Sequence, residues 1–304
     1  MIKTKEFLKV NELIKVINKK GIIIDDIEKV REILVKNNYY VIIGYKSLFL
    51  NKKHCYKENV SFENIYNLYL FDRQLKLLLL NSLLDIENII KTSIVNRFCE
   101  KYGFKEDSYL DRKNYNTNHK YLEKTFKIFK NQIEEKSADN LAISYYKNTY
   151  EFVPFWVMTK LLSFGLIKEL YSILKDDDKI AIKNEISNFN DIKIKGLFTS
   201  MQLLVDMRNK TAHDEIVYNV RHRKIILSRL KEHSKYNLVN NEGLNDLFGV
   251  LISIKNIQLK EKFNTLIDNI DNLINNYIEN NNIISKEELL KEMNLPNNYC
   301  DLKW

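Results

Sequence analysis

Residues 71–90 read Phe71-Asp72-Arg73-Gln74-Leu75-Lys76-Leu77-Leu78-Leu79-Leu80-Asn81-Ser82-Leu83-Leu84-Asp85-Ile86-Glu87-Asn88-Ile89-Ile90. Leu75, Leu78, Leu79, Leu83, Ile86, Ile89, Ile90 and Ile94 recur at steps of three and four, the spacing of one buried helical face. Ser61-Phe62-Glu63-Asn64 upstream is a weak capping signal, so the pattern predicts one long helix from about Ser61 to Cys99. It is not a membrane span: Lys76 and Asn81 interrupt the most apolar run, and no apolar stretch reaches a spanning length. With only 2 Pro and 7 Gly in 304 residues, uninterrupted helices are favoured over a turn-rich sheet. The expected fold is all-α, a multi-helix bundle.

On the N-terminal side, residues 4–37 read as two short helices around Lys19-Lys20-Gly21, with Asp25 and Asp26 as caps. The tyrosine-rich stretch Asn38 to Phe49 fits either a helix–turn or a short hairpin. On the C-terminal side, residues 105–120 read as a loop, followed by a helix from about Tyr121 to Glu135. Pro154 precedes a helix carrying Trp156, Leu161, Leu162, Leu166, Leu170 and Leu174. Asp176-Asp177-Asp178 reads as a helix N-terminus stabilised by the macrodipole rather than as a metal site. A further helix from about Asp191 carries Leu197, Phe198, Met201, Leu204 and Val205. Residues 236–241 look like a linker, and 242–293 like two or three helices broken at Asn280-Asn281-Asn282. The chain thus divides into a Tyr-rich helical subdomain (1–60), a core (61–235) and a helical extension (236–304).

The net charge of +8 permits an anionic partner such as nucleic acid. Lys52, Lys53, Arg221, Arg223, Lys224 and Lys231 are the candidate RNA-binding residues. Cys55, Cys99 and Cys300 are far apart and odd in number, which argues against a zinc site or a disulfide framework. The polar-broken run from Met1 to Glu12 lacks a signal-peptide core, so a soluble cytoplasmic protein without membrane contact is expected. No metal and no cofactor are expected.

Chemistry concentrates in Leu203-Leu204-Val205-Asp206-Met207-Arg208-Asn209-Lys210-Thr211-Ala212-His213, followed by Tyr218-Asn219. Arg208 offers a fixed cation whose fork matches phosphate oxygens. His213 offers a proton carrier at neutral pH. Together they suit phosphodiester cleavage in RNA, where the 2′-OH is the nucleophile. The spacing alone is weak: 5 His among the chain's basic residues make chance matches common, and Arg112 with His119 in a polar loop is read as one. Five helical steps put Arg208 and His213 about 140° apart, whereas Asn209 and His213 share a face. Either the helix ends inside the motif or two copies assemble the site about a two-fold axis. Asn209 would hold the imidazole or the backbone, and Glu87, Asp214 or Glu215 could orient His213. The plain structural alternative is that Arg208 pairs with a core carboxylate and His213 caps a helix.

Four ordered blocks resemble the Abi-like proteins of abortive infection (AbiD/AbiF type) in the HEPN superfamily. They are Asn38-Tyr39-Tyr40 with Gly44-Tyr45; Phe71 to Leu75 with Asp85-Ile86-Glu87; Pro154-Phe155-Trp156 with Leu162-Ser163-Phe164-Gly165; and Arg208-Asn209 with Ala212-His213 and Tyr218-Asn219. Two positions depart from the family pattern: Tyr40-Val41-Ile42, where an arginine often follows the tyrosines, and Asp214-Glu215-Ile216, where a basic or aromatic residue often precedes the last block. The resemblance implies a HEPN-like ribonuclease core at 61–235 and catalytic Arg208, Asn209 and His213, supported by Glu87, Asp214, Tyr218 and Asn219. It also implies a homodimer and a phage-defence toxin of toxin–antitoxin kind, restrained by a cognate small RNA. Two alternatives stand beside this reading: an RNA-binding helical protein without cleavage, and a HEPN protein controlled by a nucleotidyltransferase that modifies a hydroxyl such as Tyr218.

Overall fold

A computed structural model describes residues 7–137 and 140–304, which form fourteen α-helices joined by turns and short 3-10 segments, with no strand among the described residues. The expected all-α bundle is what the chain builds. The reading of Met1–Glu6 lies outside the described residues.

Helices α1 (Val10–Lys19) and α2 (Ile27–Lys36) flank a turn in which Gly21 takes φ +78°, a region open to glycine at little cost. Asp26 caps α2, accepting the N–H groups of Glu28 and Lys29 at 3.0 Å. The tyrosine-rich stretch is helical rather than a hairpin. It forms α3 (Tyr39–Ile43), capped by Asn38, and runs on as a 3-10 segment over Gly44–Phe49.

The long helix is α4 (Phe62–Tyr102), 41 residues and about 60 Å of rise. Its start is a capping box: Ser61 Oγ accepts the Asn64 N–H at 3.2 Å, and Asn64 Oδ1 accepts the Ser61 N–H at 2.8 Å.

Within the stretch expected to be loop lies one short helix, α5 (Glu106–Tyr109), before α6 (Leu122–Ser137) and α7 (Leu141–Tyr150). Pro154 precedes α8 (Phe155–Met158), but the single helix expected from Trp156 to Leu174 is interrupted. The chain turns extended at Leu162, and Ser163 caps a new helix, α9 (Phe164–Ile173), by accepting the Leu166 N–H at 3.3 Å. A serine that satisfies a fresh helix start competes with continuation of the old one.

The three aspartates do open α10 (Asp176–Ile186). Asp178 is buried and spent on α4: Arg97 donates at 2.8 Å, Lys101 at 2.9 Å and the Tyr102 hydroxyl at 2.7 Å. Next come α11 (Ile194–Ala212), α12 (Leu247–Ile257), α13 (Lys260–Glu279) and α14 (Lys286–Met293).

Helix α4 is the axis, with α10, α11, α12 and α13 packed around it and α9 lying on α11. Every residue of α12 is buried, its apolar residues in the core and its Lys255 paired with the buried Glu232 at 2.7 Å. Helices from residues 236–304 therefore help complete the shell around α4, and α11 is gripped by α4, α9 and α12. That grip fixes the end of α11, where the Arg/His motif sits.

Candidate active site

Helix α11 runs unbroken through Arg208 and Asn209 and ends at Ala212, one residue before His213. The His213 N–H caps the helix by donating to Asn209 O at 2.9 Å. Its φ of −96° and ψ of 12° keep it near the helical path, so the backbone retains the wide angle between Arg208 and His213 expected of a helix. Arg208 turns towards α4, while Asn209 and His213 are exposed.

Arg208 is half-buried, with Nε 4.0 Å from Glu87 Oε2. Neither of these two buried atoms has a hydrogen-bond partner among the described residues. The other Glu87 oxygen accepts from Lys91 at 2.7 Å. Among the described residues Glu87 is the only carboxylate in ion-pair range of the guanidinium. A cation anchored loosely on one side keeps its terminal nitrogens uncommitted. Both elements of the plain structural alternative are thus present: a carboxylate beside Arg208, and His213 at the helix cap. The His213 ring, however, is exposed and has no hydrogen-bond partner among the described residues.

None of the three carboxylates considered as its orienter reaches it. Asp214 takes a left-handed φ of +56° and accepts from Lys76 at 2.7 Å. Glu215 accepts from Lys210 at 2.9 Å. Glu87 serves Lys91 and Arg208.

The turn after His213 is pinned by a buried aspartate. Asp72 accepts the Tyr218 N–H at 2.7 Å, the Val217 N–H at 3.2 Å and the Tyr45 hydroxyl at 2.7 Å. Lys76, one turn along α4, lies 3.2 Å from the same carboxylate. Burial pushes the Asp72 carboxyl up, and Lys76, Tyr45 and the Tyr218 N–H pull it back. Burial also raises the Tyr45 and Tyr218 hydroxyls, which stay protonated donors.

The two tyrosine blocks of the sequence therefore meet: Tyr45 and Tyr218 stack at 6.0 Å over Asp72. Tyr218 is fully buried and shares a 2.9 Å hydrogen bond with Ser47, so in this fold its hydroxyl is not offered to a modifying enzyme. Asn219 reaches α14, donating to Glu292 at 3.1 Å.

The basic residues lie on separate loops. Lys52 and Lys53 are exposed in the turn after the 3-10 segment. Arg223 and Lys224 are exposed beyond Arg221, which pairs with Asp246 at 3.4 Å. Lys231 is exposed, and its N–H donates to Asp191 at 2.8 Å. The second Arg/His match dissolves: Arg112 is paired with Glu123 at 2.8 Å, while His119 lines a cavity beside α6.

Two features went unread in the sequence. One is the Asp72–Lys76 pair, whose signal was available as two charges on the buried stripe of α4. The other is His222, fully buried with Nδ1 2.5 Å from Asp206 and its ring pushed towards the neutral form by burial.

Among the described residues no helix is long and apolar enough to cross a membrane. No curated protein and no solved structure matches the chain. A family model described as Abi-like protein matches residues 32–219, more than half of the 304 residues and every block from Asn38-Tyr39-Tyr40 to Tyr218-Asn219, and the chain belongs to that family.

Proposed function

We propose that this protein is a HEPN-type, metal-independent endoribonuclease that acts in abortive infection as a phage-defence toxin, held in check by a cognate small RNA. The observation that carries the reading is the end of α11: an arginine whose terminal nitrogens have no partner among the described residues, five residues before an exposed imidazole that has none either.

The 2′-OH of a ribose attacks the adjacent phosphorus as His213 takes its proton. The bond from phosphorus to the 5′-oxygen breaks, and a protonated His213 from a second copy delivers a proton to the departing oxygen. Arg208 stabilises charge on the non-bridging oxygens. The products are a 2′,3′-cyclic phosphate and a 5′-hydroxyl. The nucleophile belongs to the substrate, so the scheme calls for no metal-bound water.

One exposed imidazole cannot be base and acid in the same step, which is why the scheme uses two copies. Leu70, Leu77 and Leu84 support that pairing. They recur every seven residues on α4 and are 38%, 67% and 49% exposed. Leu84 stands three residues before Glu87, the carboxylate 4.0 Å from Arg208. A second copy laid on this leucine stripe would bring two motifs to one cleft.

The test is cleavage of labelled single-stranded RNA by purified protein in EDTA. Wild type should leave cyclic-phosphate and 5′-hydroxyl ends, and Arg208→Ala and His213→Ala should each abolish cutting while remaining folded. Cutting that survives in either variant would overturn the proposal.

A further inference from the structure

A cavity of about 730 Å³ opens between the start of α6, the end of α9 and the first turns of α11, away from the Arg208/His213 end. Lys120, Lys124, Lys179 and Lys195 line it. One carboxylate, Glu169, joins them, and it is already paired with Lys168 at 2.8 Å. Lys179 reaches Asp176 at 3.2 Å, and Lys120 lies 4.7 Å over the Tyr121 ring. Lys124 and Lys195 have no ion pair among the described residues. A concave surface with surplus cations concentrates anions.

The remaining wall is not that of a simple anion trap. Phe198, Tyr121 and Ile128 give it flat and apolar surface, and Gln202 contributes a side-chain amide with no partner among the described residues. Cations beside aromatic faces suit a nucleotide: phosphate on the lysines, base on the rings.

The cavity is also aligned with the motif. Asn209 follows Phe198 by eleven residues, and His213 follows Gln202 by eleven. Eleven residues of α-helix make three turns with about 20° left over and rise about 16 Å. The cavity floor and the Asn209/His213 pair therefore lie on one stripe of α11. The carboxylate on that stripe, Asp206, is engaged by the His222 ring at 2.5 Å and faces the Lys210 ammonium at 4.0 Å.

We infer that this cavity is a nucleotide subsite, taking one base and its phosphate from a single-stranded RNA that runs along α11 to His213. The direction of the strand rests on the cleavage proposal; the chemistry of the cavity does not.

The experiment measures binding of a short fluorescent, unstructured oligoribonucleotide to full-length protein carrying His213→Ala. Adding Lys124→Glu and Lys195→Glu should weaken binding at least about tenfold and flatten the salt dependence by about 1.4, two phosphates at roughly 0.7 each. Lys15→Glu with Lys29→Glu changes net charge equally on α1 and α2 and should leave affinity within about twofold. Equal losses in the two double variants, or no loss in the first, would overturn the subsite. A 5′-mononucleotide that displaces the strand completely at micromolar concentration would reassign the cavity to a free nucleotide and overturn the strand subsite.

The two proposals fail separately. If wild type cuts no RNA yet Lys124 and Lys195 still govern binding, the nuclease falls and the subsite stands. If wild type cuts, and the charge-reversed form cuts the same strand with unchanged kcat/KM, the subsite falls alone.

Discussion

Asp72 and Tyr218, 146 residues apart in sequence, are joined by a 2.7 Å hydrogen bond from the Tyr218 N–H to the Asp72 carboxylate. Through it the middle of α4 fixes the return of the chain just after His213. The same carboxylate takes the Tyr45 hydroxyl, so the N-terminal tyrosine block, the long helix and the end of the motif close on one buried charge.

Asp72→Ala would strip that charge from beneath Lys76 and leave the Val217 and Tyr218 N–H groups without their acceptor. Removing one partner of a buried ion pair costs about 3–5 kcal/mol. The urea midpoint should fall accordingly, whereas Asp214→Ala, at the exposed end of the Lys76 contact, should cost under about 1 kcal/mol.

Arg208→Lys keeps the charge but loses the fork. If the guanidinium meets the non-bridging oxygens, cleavage should drop by about 10²–10³-fold, the scale seen when one preorganised donor is removed. Thermal stability should change little, since Nε of Arg208 makes no hydrogen bond. A lysine variant cutting at the wild-type rate would show that only the charge matters.

The Leu70/Leu77/Leu84 stripe predicts the assembly. Leu77→Asp with Leu84→Asp should shift sedimentation from dimer to monomer and abolish cutting without altering the helical circular dichroism. A wild-type protein that sediments as a monomer while cutting RNA would contradict the two-copy scheme.

His233 predicts the acid limb of stability. The Leu230 N–H donates to its Nδ1 at 3.0 Å, and its Nε2 donates to Gly243 O at 3.1 Å, so both nitrogens are engaged in the neutral form. Burial holds the ring below its ordinary value of 6.5. The unfolded chain then binds the proton first, so stability present above about pH 6.5 is lost as pH falls towards the lower folded value. Denaturant melts at pH 7.5 and 5.5 should show the loss, and His233→Gln should remove its share, leaving the part due to the similarly buried His222.

The sequence determined by itself what is local. The spacing of Leu75 to Ile94 and the Ser61 box specified α4, Asp26 placed α2, and the three aspartates announced α10. Periodicity and capping depend on neighbours a few residues away, which a single chain displays openly. It also showed that Arg208 and His213 would face apart on a helix, because that follows from 3.6 residues per turn.

Only the tertiary structure decided which carboxylates serve which cations. Asp214 looked available to His213 yet is drawn to Lys76; Tyr218 looked like a reactive hydroxyl yet lies buried against Ser47. It likewise gathered Lys124 of α6 and Lys195 of α11 around one cavity. Such partnerships depend on how distant helices cross α4 and on which faces that packing removes from water, and no local pattern encodes either.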